Sequence, residues 1–153
     1  MANKVYGPKL YEHKLGNRKY DFEGDIDRVI VDTQEKAEAI IKTALQDTIE
    51  DAQTPVAKGG RMRVLTGFLR SSGVSTLNAL PSGVSKGDKK KTYVWDGESV
   101  GITLSKLKTG DTFYFGWTAN YALIREAYDG FLETALQNWQ KHINNATQKL
   151  KNK

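Results

Sequence analysis

A proline sets the length of the first long element. From Asp25 to Gln53 the apolar residues Ile26, Val29, Ile30, Ala37, Ile40, Ile41, Ala44, Leu45, Ile49 and Ala52 recur mostly at steps of three and four. One apolar stripe at that period predicts an amphipathic helix. Thr54-Pro55-Val56 ends it, because Pro55 has no N–H to give and pushes Thr54 out of the helical region. Asp32, with Glu35 three residues on, reads as a capping box that would split a short first helix from a long second one. Asp25 capping one continuous helix is the alternative. Beyond the stop, Leu65-Thr66-Gly67-Phe68-Leu69-Arg70-Ser71-Ser72-Gly73 reads as a turn opening a strand, with Gly67 free to adopt a backbone angle closed to other residues.

Four segments then carry strand character: about 67–79, 91–95, 99–104 and 111–117. Val100, Ile102 and Leu104 alternate, as do Phe113, Phe115 and Trp117. Asp96-Gly97 is a two-residue hairpin signal, and Lys108-Thr109-Gly110 supplies a further turn. The link from Leu80 to Lys90 is polar, and its crowded lysines predict an extended, mobile loop. After Asn120, a candidate cap, a short helix leads to Asp129-Gly130. Leu132, Leu136, Trp139, Ile143, Ala146 and Leu150 then form a heptad-like seam on a final helix.

The expected fold is therefore α+β: a four-stranded antiparallel meander packed against a long N-terminal helix and a C-terminal helix. Residues 1–24, with Gly7, Pro8, Gly16 and Gly24, read as an extended arm. Residues 25–150 read as one domain and 151–153 as a basic tail.

Composition narrows the function. At 153 residues the chain is long enough for a sizeable core, and 39% hydrophobic with 27% charged residues reads as a water-soluble globular protein. No apolar run approaches the roughly 20 residues of a membrane span. The first residues carry no apolar stretch of the secretory kind. Zero cysteines exclude disulfides, thiolate nucleophiles and cysteine-ligated metals. A net charge of +5 reads first as an ordinary basic surface, the sharper alternative being contact with nucleic acid or an acidic protein partner.

Catalytic signatures are missing. His13 and His142 stand in no metal-ligand spacing and read as solvated. Ser71-Ser72 lacks a marked base, and Gly59-Gly60-Arg61 lacks the phosphate-loop pattern. Glu126, Asp129 and Glu133 lie close in sequence, but a helix break and a first-turn acid explain them more simply. The chain reads as no enzyme, with no cofactor and no metal. Basic clusters are the stronger feature: Arg61, Arg63 and Arg70 flank the Thr-Gly turn, and Lys86, Lys89, Lys90 and Lys91 crowd one loop. The arginines read as protein-interface anchors, since guanidinium binds carboxylates bidentately and tolerates desolvation, and Lys86, Lys89, Lys90 and Lys91 read as a secondary contact of the same interface. Tyr93, Trp95, Phe113, Phe115 and Trp117 read as core before base-stacking residues.

The order of short motifs resembles a known family. Thr54-Pro55-Val56 followed by Thr66-Gly67-Phe68-Leu69-Arg70-Ser71-Ser72 resembles the TPV…TGxLRxS segment of tail-completion and head–tail joining proteins of tailed bacteriophages. Tyr121-Ala122 with Glu126 and Gly130 resembles that family's YAxxxE…G segment, and Phe131-Leu132-Glu133-Thr134-Ala135 the start of its final helix. The resemblance spans about residues 25–145. Nine residues, 57–65, separate Pro-Val from Thr-Gly, where the family has one or two. The Glu-to-Gly spacing is longer too.

The resemblance implies a virion structural protein, made in the host cytoplasm and placed in the neck or at the head-proximal end of the tail. It implies a homo-oligomeric ring, commonly sixfold. Neighbouring head-completion, terminator or tube proteins would contact the ring, and genomic DNA would pass through it. No membrane partner is implied. Two other readings remain open: a basic α+β nucleic-acid-binding module, separable by the salt dependence of DNA binding, and a metal-dependent hydrolase, separable by elemental analysis.

Overall fold

In a computed structural model, which describes residues 14–15, 18–19 and 22–153, the chain divides into two compact units, Met1–Ala37 and Glu38–Lys153. In the first unit, β1 (Lys14–Leu15) pairs antiparallel with β2 (Arg18–Lys19). The other residues expected in the N-terminal arm lie mainly outside the described set. Helix α1 runs unbroken from Phe22 to Gln53. Asp32 does not cap it but lies in its interior, accepting a hydrogen bond from Lys36 Nζ at 2.7 Å. An (i, i+4) pair of this kind supports a helix already under way.

In the second unit α1 buries Ala44, Thr48, Ile49, Ala52 and Gln53, a stripe at helical spacing. It ends as Pro55 requires, and the chain turns through a 3-10 segment at Val56–Lys58. After Gly67 comes not a strand but one helical turn, α2 (Phe68–Ser71), and only then β3 (Gly73–Leu77). β3 pairs antiparallel with β4 (Phe113–Trp117), Gly73 opposite Trp117 and Leu77 opposite Phe113. Helices α3 (Glu98–Ser105), α4 (Ala122–Asp129), α5 (Phe131–Gln137) and α6 (Trp139–Lys151) complete the described elements.

The four-stranded meander is thus corrected: the fold is mixed α and β, with six α-helices among the described residues and the two-stranded antiparallel pair β3–β4 where the meander was expected. Segment 99–104 forms a helix. Val100 and Leu104, four apart, are buried, while Ile102 between them is 59% exposed. Asp96-Gly97 opens that helix instead of a hairpin. Asp96 Oδ1 accepts the Glu98 N–H at 3.0 Å, and Asp96 C=O accepts the Ser99 hydroxyl at 2.9 Å. Gly97 sits at φ −71°, whereas the hairpin turn needs positive φ. Segment 91–95 keeps the alternation expected of a strand, Tyr93 and Trp95 turned inward, but forms no ladder. Alternation reports which side chains are buried, and a strand also needs a partner backbone.

The seam predicted along one final helix is divided. Asn138 joins α5 to α6, and Leu136 is exposed. Asn120 does not cap α4, whose first residue follows Tyr121. His142 is not solvated: its Nε2 lies 3.0 Å from Asp51 Oδ2, which also accepts from Asn138 Nδ2 at 3.0 Å. That pair of contacts ties α6 to α1.

Two apolar clusters fill the second unit. Ile49, Val100, Leu104 and Leu107 gather Leu77, Phe113 and Phe115 around them. Met62, Phe68, Leu69, Ala119 and Phe131 gather Tyr93, Trp117 and Tyr121. Edge-on ring contacts join the clusters, Trp95 to Phe115, Phe115 to Trp117 and Trp117 to Phe131, at 6.1, 5.0 and 4.9 Å. Gln53, 1% exposed, lies where they meet. Its Nε2 donates to Arg70 C=O at 3.0 Å, and its Oε1 accepts from Trp117 Nε1 at 3.1 Å.

The helical register of α3 has a direct test. Leu104→Ala should cost about 2–5 kcal/mol in urea unfolding, as buried leucines do. Ile102→Lys should change stability by no more than about 0.5 kcal/mol, as exposed sites do. Equal losses at both positions would favour the strand reading.

Candidate functional site

Three loops and one helix build a cleft on the second unit. The first loop follows Pro55, and its backbone closes on itself, Val56 N–H donating to Met62 C=O at 3.0 Å. Met62, fully buried, plugs it from below. The long insertion 57–65 is therefore a closed loop held by an apolar side chain, which exposes Val56 and Val64 and leaves Leu65 97% exposed.

The second element is the Thr-Gly turn. Gly67 has φ +83°, and a Cβ there would collide with the Tyr93 carbonyl oxygen. Both reasons demand glycine. Thr66 Oγ1 accepts the Phe68 N–H at 3.3 Å, and Thr66 C=O accepts the Tyr93 N–H at 2.8 Å.

The third wall is the lysine loop, which is pinned at several points along its length. Ser85 N–H donates to Thr118 C=O at 2.7 Å, and Asn120 N–H donates to Ser85 C=O at 2.9 Å. Asp88 orders the tip: Oδ1 accepts the Lys90 N–H at 2.9 Å, and its own N–H donates to the Tyr93 hydroxyl at 3.0 Å. Gly87 lies so close to the Phe68 ring that a side chain would overlap it. The lysines are thus held out from a backbone packed on the core.

Helix α4 supplies the fourth side. Arg125 Nη2 donates to both oxygens of Asp129, at 2.6 and 2.5 Å, and Arg63 Nε lies 3.5 Å from the same carboxylate. Asp129 is buried, its side chain 5% exposed, so the two guanidiniums neutralise it and it fixes them in return. Burial raises the Tyr121 hydroxyl above its ordinary pKa, so the phenol is neutral at physiological pH. Gly130, at φ +63°, separates α4 from α5. Across it the Glu126 carboxylate accepts the N–H groups of Leu132 and Glu133, both at 2.9 Å, and so caps α5.

Together these walls enclose about 910 Å³. Its apolar lining comes from the buried Phe68 and Leu69, the half-buried Tyr121, and the exposed Val56, Val64 and Leu65. The rim carries Arg63, Arg70, Lys86, Lys89 and Arg125 against one carboxylate, Asp88. Of the basic residues picked out by sequence, Arg63, Arg70, Lys86 and Lys89 converge here. Arg61, Lys90 and Lys91 are exposed outside the cleft. Pro55, Thr66, Gly67, Leu69 and Tyr121 line it as well, although more than fifty residues separate Tyr121 from the rest. Glu126 lies instead on a shallower depression with Leu132, Glu133, Leu136 and Gln137.

Sequence reasoning missed Arg125 and Phe68 as parts of the cleft, and Asp129 as the carboxylate that holds Arg125. The four-residue spacing of Arg125 and Asp129 was the available signal for a helical ion pair. Among the described residues Arg70 Nε is buried without a hydrogen-bond partner, and Lys86 and Lys89 make no ion pair. Within the same set, no three His, Asp or Glu side chains gather as a metal site would need. No known protein family, curated protein or solved structure matches this chain.

Gly67→Val should destabilise the protein by at least about 3 kcal/mol, combining left-handed strain with a backbone collision. Thermal unfolding within a degree or two of the parent would show that the turn is not needed.

Proposed function

We propose that the chain is a structural subunit of a tailed-phage virion, a ring-forming neck or tail-completion protein that joins the tail to the DNA-filled head. The observation that carries the reading is the cleft. The Pro55–Arg70 and Tyr121–Arg125 segments, which bear the resemblance in sequence, form one surface with an apolar lining and a cationic rim. A joining protein needs such a surface, because its work is to hold acidic or apolar elements of its neighbours.

The geometry also explains why the motif residues have their identities. Gly67 and Glu126 support the backbone around the cleft: Gly67 lets Tyr93 approach, and Glu126 caps α5 across Gly130. The four-stranded sheet is not part of the proposal; the order of helix, Pro-Val stop, Thr-Gly turn, Tyr-Ala helix and final helices is.

The nucleic-acid alternative draws on Lys86 and Lys89, which make no ion pair among the described residues, but gains nothing from the core aromatics. Phe68, Tyr93, Trp95, Phe115 and Trp117 are engaged edge-on with one another in the core. A single-strand binding surface needs exposed ring faces.

Gold-labelled antibody against the chain should decorate particles of the encoding phage at the head–tail junction, at several copies per particle. Particles without the label, or label confined to capsid faces or tail tip, would overturn the reading.

A further inference from the structure

The cleft has a chemical counterpart on the same chain. Between Phe22 and Ala37, α1 carries Glu23, Asp25, Asp27, Asp32 and Glu35 against Arg28 and Lys36, five carboxylates to two cations and a net charge of −3. This stretch also displays apolar side chains: Ile26, Val29 and Ile30 are 44%, 63% and 50% exposed. They stand at i, i+3 and i+4, the spacing by which a helix lays one face into a groove. The rest of the chain carries the excess positive charge, and Arg70, Lys86 and Lys89, which make no ion pair among the described residues, rim the apolar cleft.

We infer that the occupant of the cleft is a second copy of this chain, which inserts the acidic–apolar first half of α1 with Ile26, Val29 and Ile30 against the apolar lining of the cleft. Asp27 and Asp32 then face the cationic rim. The volume of about 910 Å³ suits this load, since three aliphatic side chains and part of a helix face fill a pocket of that class. Burial of the apolar stripe supplies the attraction, while the opposite charges set orientation and hasten encounter.

The contact is heterologous: donor helix and acceptor cleft are different surfaces of one chain. Such contacts propagate head to tail and close into a ring when the rotation permits. The inference rests on the ring reading for its setting, but its test needs only the purified full-length chain. Failure here with gold label at the neck would therefore remove the interface and leave the virion role standing.

Two exposed charge reversals supply the test: Asp27→Lys/Asp32→Lys on the helix and Lys86→Glu/Lys89→Glu on the rim. Sedimentation velocity should show concentration-dependent self-association of the parent, weakening as salt rises. Each variant, with circular dichroism matching the parent, should self-associate at least about tenfold more weakly. An equimolar mixture of the two should recover association, because each contributes one intact or complementary surface. A monomeric parent would mean that something else fills the cleft, an acidic neighbour protein included, and would overturn the inference. So would variants that associate as the parent does, or a mixture that stays monomeric.

Discussion

The second unit depends on the side chain of Gln53. It is the last residue of α1, is almost wholly buried, and spends both ends of its amide on other elements. Its donor holds Arg70 C=O at the end of the Thr-Gly segment, and its acceptor holds the Trp117 indole at the end of β4. A buried amide that met neither partner would cost more than an apolar residue of the same shape, so the site admits one arrangement. Position 53 therefore fixes three things at once: how the end of α1 meets the sheet, where the cleft begins, and how the sheet meets Phe131. Gly73 lies against the same amide, with space for no side chain.

From that point the cleft follows. With Arg70 C=O held, α2 projects Phe68 and Leu69 inward. Tyr93 and Gly87 then close on Phe68, and the lysine loop is carried along. The rim lysines are exposed because the backbone beneath them is committed to the core. The same economy holds for Asp129, whose burial is offset by Arg125 and Arg63. A surface built this way is preorganised, and association through it loses little freedom in its acceptor half.

Parts of this architecture were legible in the sequence, and the failures have separate physical causes. Helix α1 and its stop at Pro55, the need for glycine at 67, strand β4 and the break at Gly130 follow from local rules of period and backbone geometry. Residues 99–104 misled because Val100, Ile102 and Leu104 satisfy a two-residue period, while Val100, Leu104 and Leu107 equally satisfy a helical one. Only Asp96, a cap as readily as a turn residue, tips the balance. Residues 91–95 misled because a pattern of burial carries no information about a pairing partner. For the cleft, charge clustering located Arg63, Arg70, Lys86 and Lys89. The long-range pairing of Arg63 with Asp129 and the inward role of Gln53 leave no mark on any periodicity, since each is a contact between segments far apart in the chain.

The most direct measurement of this account is a double-mutant cycle between Gln53 and Trp117, read by urea unfolding of the parent, Gln53→Leu, Trp117→Phe and the double variant. If the buried amide joins α1 to β4, the two substitutions are coupled by about 1–2 kcal/mol, the double variant losing less than the two losses added. Losses that add to within about 0.3 kcal/mol would show that the amide and the indole act independently, and would contradict the claim that Gln53 organises the unit.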